Sequence, residues 1–282
     1  MKTPCYRLLV DARGFIMLTE EQTELLNVAN ALADAARVVT LPYFRNASLK
    51  TDNKLETGFD PVTEADRNAE LAIRDILAKR RPNDGIIGEE FGNTQGTSGL
   101  TWVIDPIDGT RAFISGIPSW GVLIGLDAGD GPVLGVIDQP YIGERFIGAF
   151  GQASLTTASK TIPIQTRPCA ALADATLMTT FPEIGSEAER LGFEAVRDKV
   201  KLTRYGLDCY AYALLAMGQI DLIIEAGLNA YDVQGPIGVI TAAGGIVTNW
   251  QGGPAHMGGR LLAAGDKALH AQALEMLSKI AD

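Results

Sequence analysis

The segment that most constrains this chain is residues 102–110, where an apolar strand runs directly into two aspartates, Asp105 and Asp108. Pro106 fixes its own φ angle and turns the chain, so that both carboxylates can point into the same space. Two carboxylates held this close repel each other unless they are protonated or bridged by cations. Because Mg²⁺ prefers hard oxygen ligands, the spacing favours a magnesium site. One such pair alone, however, is more often a turn followed by a helix cap.

Other acidic residues stand at similar places, directly after an apolar strand or at a predicted helix start. Glu89 directly follows a short apolar strand, whereas an acidic run on the protein surface would not need an apolar segment before it. Asp60 precedes Thr63, the predicted cap of a helix. Asp66 and Asp232 lie in the first turns of predicted helices, where capping is the simpler explanation. Taken one by one, these residues do not distinguish a functional site from ordinary helix ends.

The charge balance and the rare residues narrow the classes of function. Lys and Arg total 24 against 34 Asp and Glu, a formal charge of −10, which opposes binding to nucleic acid or to an anionic membrane surface. Three widely spaced cysteines form no CxxC pair and predict neither a disulfide framework nor a zinc site, as expected for a reducing cytoplasm. Neither of the two histidines lies in a motif, so a phosphohistidine or Ser-His mechanism is not expected. No apolar run is long enough to span a membrane.

The hydrophobic periodicity divides the chain into two regions behind a short extension. Residues 1–18 are expected to be poorly ordered, because Met17 stands just before a strong helix start at Thr19. The region 19–151 is predicted as α+β, with helices at 20–45 and 64–79 and a largely antiparallel sheet from strands 85–90, 101–105, 120–126, 132–139 and 145–150. The region 152–282 alternates strands (175–180, 221–225, 246–248, 261–264) with helices (187–199, 208–217, 232–243 and one from 267), which favours an α/β domain.

The ordered set of acidic segments resembles a known family. Asp60-Pro-Val-Thr through Asp66, then Gly88-Glu89-Glu90, then Asp105-Pro-Ile-Asp-Gly-Thr110, then Tyr231-Asp232 before a Gly-Gly pair, is similar to the signature of inositol-monophosphatase-like phosphatases. Many relatives have Trp where this chain has Tyr231. The resemblance implies an α/β fold layered as α-β-α-β-α, of the inositol monophosphatase and fructose-1,6-bisphosphatase type. It also implies an active site between the two domains and a homodimer.

The same resemblance implies which residues bind metal. Glu89, Asp105 and the carbonyl of Ile107 would hold one Mg²⁺. Asp105, Asp108 and Asp232 would hold a second, and Glu89 would help to place a third through water. The chain would therefore use two to three Mg²⁺ ions per site.

The remaining roles concern water and phosphate. By resemblance, Asp60 with Thr110 would orient the attacking water, so that hydrolysis needs no covalent intermediate. Gly109 lets the backbone approach a ligand closely, and the N–H groups around Thr110 can receive phosphate oxygens at a helix start. The predicted partner is thus a small phosphorylated substrate.

The segments 105–114, 204–212 and 225–232 look like the histidinol-phosphate phosphatase branch of this superfamily, with Leu207 where the branch usually has a glycine. Asp208 and Glu225 would recognise the cationic end of the substrate, and Arg204 is also assigned to substrate binding. Asp208 is explained about equally well as the cap of the next helix. A glutamate at the place of Glu225 accepts a hydroxyl in inositol-phosphate relatives, so it does not discriminate. An inositol-1-monophosphatase or broad sugar-phosphate phosphatase, a nucleotide 3′-phosphatase, and an inactive phosphatase-like binding protein stay open as alternatives.

Overall fold

The computed structural model describes residues 9–10, 16–47, 49, 51–53 and 61–280. Two short antiparallel strand pairs lie outside the main sheets: β1 (Leu9–Val10) with β2 (Ile16–Met17), and β3 (Thr51–Asn53) with β4 (Pro61–Thr63). Residues 1–8 and 11–15 of the predicted extension lie outside the described residues, so its lack of order stays a prediction.

The described helices belong to both halves of the chain. They are α1 (Glu20–Thr40), α2 (Glu64–Arg80), α3 (Thr110–Ile114), α4 (Glu187–Arg197), α5 (Tyr210–Ala216), α6 (Ala230–Ala242) and α7 (Lys267–Leu277), with a 3₁₀ turn at Leu172–Asp174. Among them, none is both long and apolar enough to cross a membrane.

The helices α1 and α2 begin where the sequence predicts. Thr19 and Thr63 are their N-caps, and a side chain three residues further on completes a capping box in each case. The predicted end of the first helix at residue 45 is wrong, because α1 stops at Thr40 and turns follow. Pro42 explains the stop, since proline has no N–H to donate to the preceding helical turn.

The larger sheet has eight strands in the order β12-β11-β10-β9-β8-β7-β5-β6. Their bounds are β5 (Gly85–Gly88), β6 (Gly92–Thr94), β7 (Thr101–Asp108), β8 (Gly121–Asp127), β9 (Pro132–Gln139), β10 (Glu144–Ala149), β11 (Gln152–Thr156) and β12 (Thr161–Pro163). All neighbours pair antiparallel except β5 and β7, which are parallel. The last two strands follow the predicted boundary at 151/152 but belong to this sheet.

The smaller sheet has five strands in the order β14-β13-β15-β17-β16. They are β13 (Thr176–Thr179), β14 (Leu202–Tyr205), β15 (Leu222–Asn229), β16 (Ile246–Thr248) and β17 (Gly258–Ala264). Strand β13 is parallel to both of its neighbours, whereas β17 is antiparallel to both of its own. The sheet is therefore mixed, as crossover helices and a closing hairpin together require.

The two sheets and the helices form alternating layers. The pair α1 and α2 packs on one face of the larger sheet, and α5 and α6 lie between the two sheets. The pair α4 and α7 covers the outer face of the smaller sheet, around Phe193 and Trp250. The predicted α-β-α-β-α layering is confirmed.

A row of glycines seats α6 on the larger sheet. Gly125, Gly135 and Gly148 are cross-strand neighbours in β8, β9 and β10. A Cβ atom on any of the three would clash with α6: at Gly135 it would meet the backbone of Gly235, and at Gly148 that of Gly238. Without these side chains the helix backbone lies directly against the strands, and the helix can present its first turn at the end of β7.

Candidate active site

Three carboxylates, two from the end of β7 and one from the first turn of α6, lie close together. Ligand oxygens of Asp105, Asp108 and Asp232 all lie within 4.8 Å of one another. Asp105 is buried, with 3% of its surface exposed, and the other two are half-buried. These residues were predicted as metal ligands, and the structure brings them together.

Local backbone geometry aims the three side chains. The pairing of β7 with β8 is irregular between Asp105 and Asp108, and such a bulge redirects side chains at a strand end. Asp105 Oδ1 accepts a hydrogen bond from the Ile107 N–H at 3.0 Å, and Asp108 Oδ2 accepts one from the Cys209 N–H at 2.6 Å. Asp232 also completes the capping box of α6, where its Oδ2 accepts from the Asn229 N–H at 2.6 Å. Capping and convergence on the cluster are therefore compatible roles.

The electrostatics of the cluster call for a cation. Burial raises the pKa of Asp105 well above its usual value, and the charges of Glu89, Asp108 and Asp232 raise it further. Burial also raises the pKa of Asp108, with added repulsion from Asp208 and Asp232. A divalent cation would remove this repulsion, and a set made only of carboxylate and carbonyl oxygens suits Mg²⁺ or another hard ion.

Two further predicted ligands stand beside the cluster. Glu89 follows the end of β5, is half-buried and interacts electrostatically with Asp105. The Ile107 side chain is buried, while its carbonyl accepts a hydrogen bond from the Thr110 hydroxyl at 3.1 Å. The role of both residues as metal ligands stays a prediction.

Of the pair predicted to orient water, Asp60 and Thr110, the structure describes only Thr110, and the role of the pair stays a prediction. Asp60 lies outside the described residues. The Thr110 hydroxyl also lies 3.5 Å from Oδ1 of Asp66, a long contact, while Oδ2 of Asp66 accepts from the Thr63 N–H and hydroxyl. Burial raises the pKa of Asp66 to about 6, against the lowering effect of its bonds to Thr63. The sequence analysis placed Asp66 in a helix's first turn and in the family signature but assigned it no catalytic role, and neither signal could reveal its contact with Thr110.

A fourth aspartate, Asp208, stands beside residues 105–110, the predicted metal-binding loop. Its carboxylate packs against Gly109, the left-handed N-cap of α3 with a φ of 81°, and a Cβ there would lie 2.7 Å from Asp208 Cγ. Asp208 Oδ2 accepts a hydrogen bond from the Ser119 hydroxyl at 2.6 Å. Helix α5 begins two residues later than predicted and its N-cap is Cys209, which makes no side-chain capping bond. Capping therefore does not explain Asp208.

The other predicted substrate residues differ in their surroundings. Glu225 is buried in β15, where its Oε1 accepts from the Thr180 N–H at 2.7 Å and from the Thr180 hydroxyl at 3.0 Å. Burial raises the pKa of Glu225 to about 7, and the charge of Asp208 adds to this shift. Arg204 is exposed on the edge strand β14, and no hydrogen bond among the described residues joins it to the cluster.

A covalent cysteine mechanism does not fit this site. Cys209 is buried next to Asp108, and burial raises the pKa of its thiol well above the usual value, with the nearby carboxylates raising it further. A thiol must ionise to act as a nucleophile, so these surroundings disfavour attack by sulfur.

Comparison with known proteins identifies relatives along almost the whole chain. The sequence profile of the inositol monophosphatase family matches residues 21–281. The bifunctional phosphatase IMPL2 of Arabidopsis thaliana, described as chloroplastic, is 43% identical over 261 residues, which cover 89% of this chain and 74% of the plant protein. The histidinol-phosphatase of Streptomyces coelicolor is 36% identical over 264 residues, which cover 90% and 97% of the two chains. Among solved structures, an inositol monophosphatase from Zymomonas mobilis has a TM-score of 0.81 at 40% identity, covering 92% of this chain and 99% of its own.

Proposed function

The chain belongs to the inositol monophosphatase family and is a phosphoric monoester hydrolase, and we propose that it hydrolyses histidinol phosphate to histidinol with Mg²⁺ as its cofactor. The relatives from Arabidopsis thaliana and Streptomyces coelicolor are named as phosphatases, which disfavours the alternative of an inactive binding protein. The predicted homodimer and a place in the cytoplasm and in histidine biosynthesis remain part of this proposal.

The position of Asp208 is the observation that most favours histidinol phosphate. Inositol and simple sugar phosphates are uncharged apart from their phosphate, so a carboxylate beside the ester could accept hydrogen bonds from their hydroxyls but would find no opposite charge to offset its repulsion from that phosphate. Histidinol has a cationic ammonium group, which an anionic side chain can bind by a charge-assisted hydrogen bond. Asp208 lies against Gly109 of the loop proposed to bind phosphate, so it stands beside the proposed substrate site.

The proposed reaction uses few protein groups directly. Mg²⁺, when bound, neutralises the phosphate, acidifies a water molecule and stabilises the leaving oxygen. Glu89, Asp105 and the Ile107 carbonyl would hold one ion, and Asp105, Asp108 and Asp232 a second, with Glu89 helping to place a third. The backbone at Gly109 and Thr110 would orient the phosphate.

We further propose that the Thr110 hydroxyl and the carboxylate of Asp66 orient the attacking water and receive its proton. The pKa of Asp66, raised to about 6, is close to neutral pH, where a carboxylate acts effectively as a base. Asp60 stays a candidate for the same role. Asp66→Asn should therefore lower kcat more than it changes KM, because it removes an interaction needed mainly in the transition state.

Inositol 1-phosphate is the second candidate substrate. Glu225 is held by Thr180 close to Asp208 and could accept a hydroxyl of inositol as well as a donor of histidinol. The similarity to an inositol monophosphatase from Zymomonas mobilis favours the same alternative.

Kinetics on both esters test the proposal. We expect kcat/KM for histidinol phosphate to exceed that for inositol 1-phosphate and glycerol phosphate. Asp208→Asn should lower kcat/KM for histidinol phosphate by about ten- to hundredfold, the value of a lost charge-assisted contact, and should affect the uncharged esters much less. Equal losses on all esters, or a preference for inositol 1-phosphate, would reject histidinol phosphate as the substrate.

A further inference from the structure

We propose that Ser119 is a positioning residue that selects the substrate through Asp208, by holding its carboxylate at one place beside the metal-binding loop. The inference rests on the proposed recognition of a cationic substrate by Asp208. Ser119 is not part of any motif that the sequence analysis identified, and it lies in the turn between α3 and β8.

The hydrogen bond between Ser119 and Asp208 is buried, short and long-range in sequence. Ser119 is 4% exposed, and its hydroxyl donates to Asp208 Oδ2 at 2.6 Å, a short distance typical of a hydroxyl bonded to an ionised carboxylate. The two residues are 89 positions apart in the chain, so local turn geometry does not produce the bond. Since Ser119 uses Oδ2, we assign Oδ1 to the ammonium group of the substrate.

The backbone around Asp208 needs outside support. Gly206, Leu207 and Asp208 have successive φ angles of 87°, 78° and 45°, all in the left-handed region. Leucine rarely adopts such a φ, and a strained conformation of this kind persists only where surrounding contacts determine it. Two contacts flank the strained turn: Asp108 accepts from the Cys209 N–H, and Ser119 binds the Asp208 side chain.

Both of these supports come from the segment that contains the metal-binding aspartates. Residues 105–108 supply two members of the carboxylate cluster, and Ser119 follows in the same stretch of chain, just before β8. One continuous segment, residues 105–119, therefore sets the distance between the proposed phosphate site and the carboxylate of Asp208 that would bind the substrate's ammonium group. A carboxylate free to rotate would accept cations at several distances, whereas a fixed one selects substrates of one length.

The experiment compares kcat/KM for histidinol phosphate and glycerol phosphate in the Mg²⁺-loaded enzyme. The variants are Ser119→Ala, Asp208→Asn and the double variant. Thr166→Val serves as the matched control, because it removes a hydroxyl that donates to the Gly265 carbonyl rather than to Asp208. We expect Ser119→Ala to lower the ratio of the two kcat/KM values by about five- to twentyfold, mainly through a higher KM for histidinol phosphate.

The double variant separates positioning from general damage. If Ser119 acts only through Asp208, adding Ser119→Ala to Asp208→Asn should change the ratio by less than about twofold. Calorimetric binding of histidinol itself should weaken by the same factor as the KM increase. A purely structural role would instead lower both kcat/KM values together, as a destabilised Thr166→Val control would.

Two outcomes would overturn the inference, and they are distinguishable. If Asp208→Asn lowers the ratio but Ser119→Ala does not, Ser119 does not position Asp208 while the proposed function stands. If neither variant changes the ratio of the two kcat/KM values, Asp208 does not bind the cationic group of the substrate. The proposed role of Ser119 and the proposed substrate are then both wrong. The melting temperature of each variant identifies any that is not folded, and Ser119→Thr, which keeps a hydroxyl, provides a second test: it should retain more of the ratio than Ser119→Ala.

Discussion

Replacing Asp105 with asparagine should abolish turnover and at the same time stabilise the metal-free protein. The substitution keeps the shape of the side chain, and its amide oxygen can still accept the Ile107 N–H that Asp105 Oδ1 accepts now. What disappears is one negative charge from a buried cluster. The two effects have opposite signs because the charge is needed only when cations are present.

The size of both effects follows from the geometry of the cluster. Two unit charges 4.8 Å apart, the upper limit of the separations between ligand oxygens in the cluster, repel by about 3.5 kcal/mol at an effective dielectric constant of about 20. Asp105 has two such neighbours, but the metal-free cluster already relieves part of the repulsion by binding protons, as the raised pKa values of Asp105 and Asp108 indicate. A gain of about 1–3 kcal/mol in the free energy of unfolding is therefore expected at neutral pH. Loss of a ligand shared by two cations should lower kcat at least about a thousandfold, or about 4 kcal/mol.

Two measurements on the same preparation check the prediction. Urea unfolding in excess chelator gives the stability of the metal-free protein, and steady-state kinetics at saturating Mg²⁺ gives kcat. Asp75→Asn is the control, because Asp75 is exposed on α2 and the same chemical change there should alter neither quantity. Activity of the Asp105 variant within a few-fold of wild type would refute its role as a metal ligand. A loss of metal-free stability would refute the repulsion argument instead.

Further predictions concern pH, a buried ion-pair network and the seat of α6. The folded-state pKa of Asp66 is raised from 3.8 to about 6 and that of Glu225 from 4.5 to about 7, so the folded metal-free protein binds more protons than the unfolded chain. Its free energy of unfolding should therefore fall as the pH rises from about 4 to about 7, by about 3 kcal/mol for each group. Chemical unfolding at a series of pH values measures this change. A rise over this range would contradict the assignment. Asp138→Ala should cost about 3–5 kcal/mol in urea unfolding, since it leaves two arginine partners without their fully buried carboxylate, whereas Asp198→Ala, at an exposed pair, should cost under about 1 kcal/mol. Gly135→Ala should destabilise the protein by about 1–3 kcal/mol and weaken Mg²⁺ binding in calorimetry, because the added Cβ would displace α6, which contains the proposed ligand Asp232. An unchanged Mg²⁺ affinity would show that the seating of α6 does not affect the metal site.

The parts of the fold that could be predicted from the sequence depend on neighbouring residues. The caps Thr19 and Thr63 were predicted because each needs only a partner three residues away, and strand β9 has its predicted bounds because turn residues flank an apolar run. The end of α1 was missed although Pro42 signals it. The strands β11 and β12 were missed because they are short and polar, and their place in the larger sheet depends on pairing with β10.

The candidate site divides in the same way. Asp105 and Asp108 lie close together in sequence and in space, so a pattern could identify them, and the family resemblance added Asp232. The contacts of Asp66 with Thr110 and of Ser119 with Asp208 join residues 44 and 89 positions apart. Neither residue of such a pair signals its partner locally. Only the packing of the two sheets brings them together, which is why the resemblance predicted Asp208 but not the serine that holds it.

The row of glycines under α6 has a consequence for how the site comes into being. Asp105 and Asp108 belong to the strand β7, but Asp232 arrives on a helix formed more than a hundred residues later, and it reaches the cluster only when that helix lies directly on the three strands. Two fragments separated in the loop at residues 157–160 would each lack part of the cluster, so neither should bind the cation tightly alone. Mixed together, they should associate more strongly as the cation concentration rises, since the ion binds only the joined form. The metal would then stabilise the assembled fold as well as take part in hydrolysis.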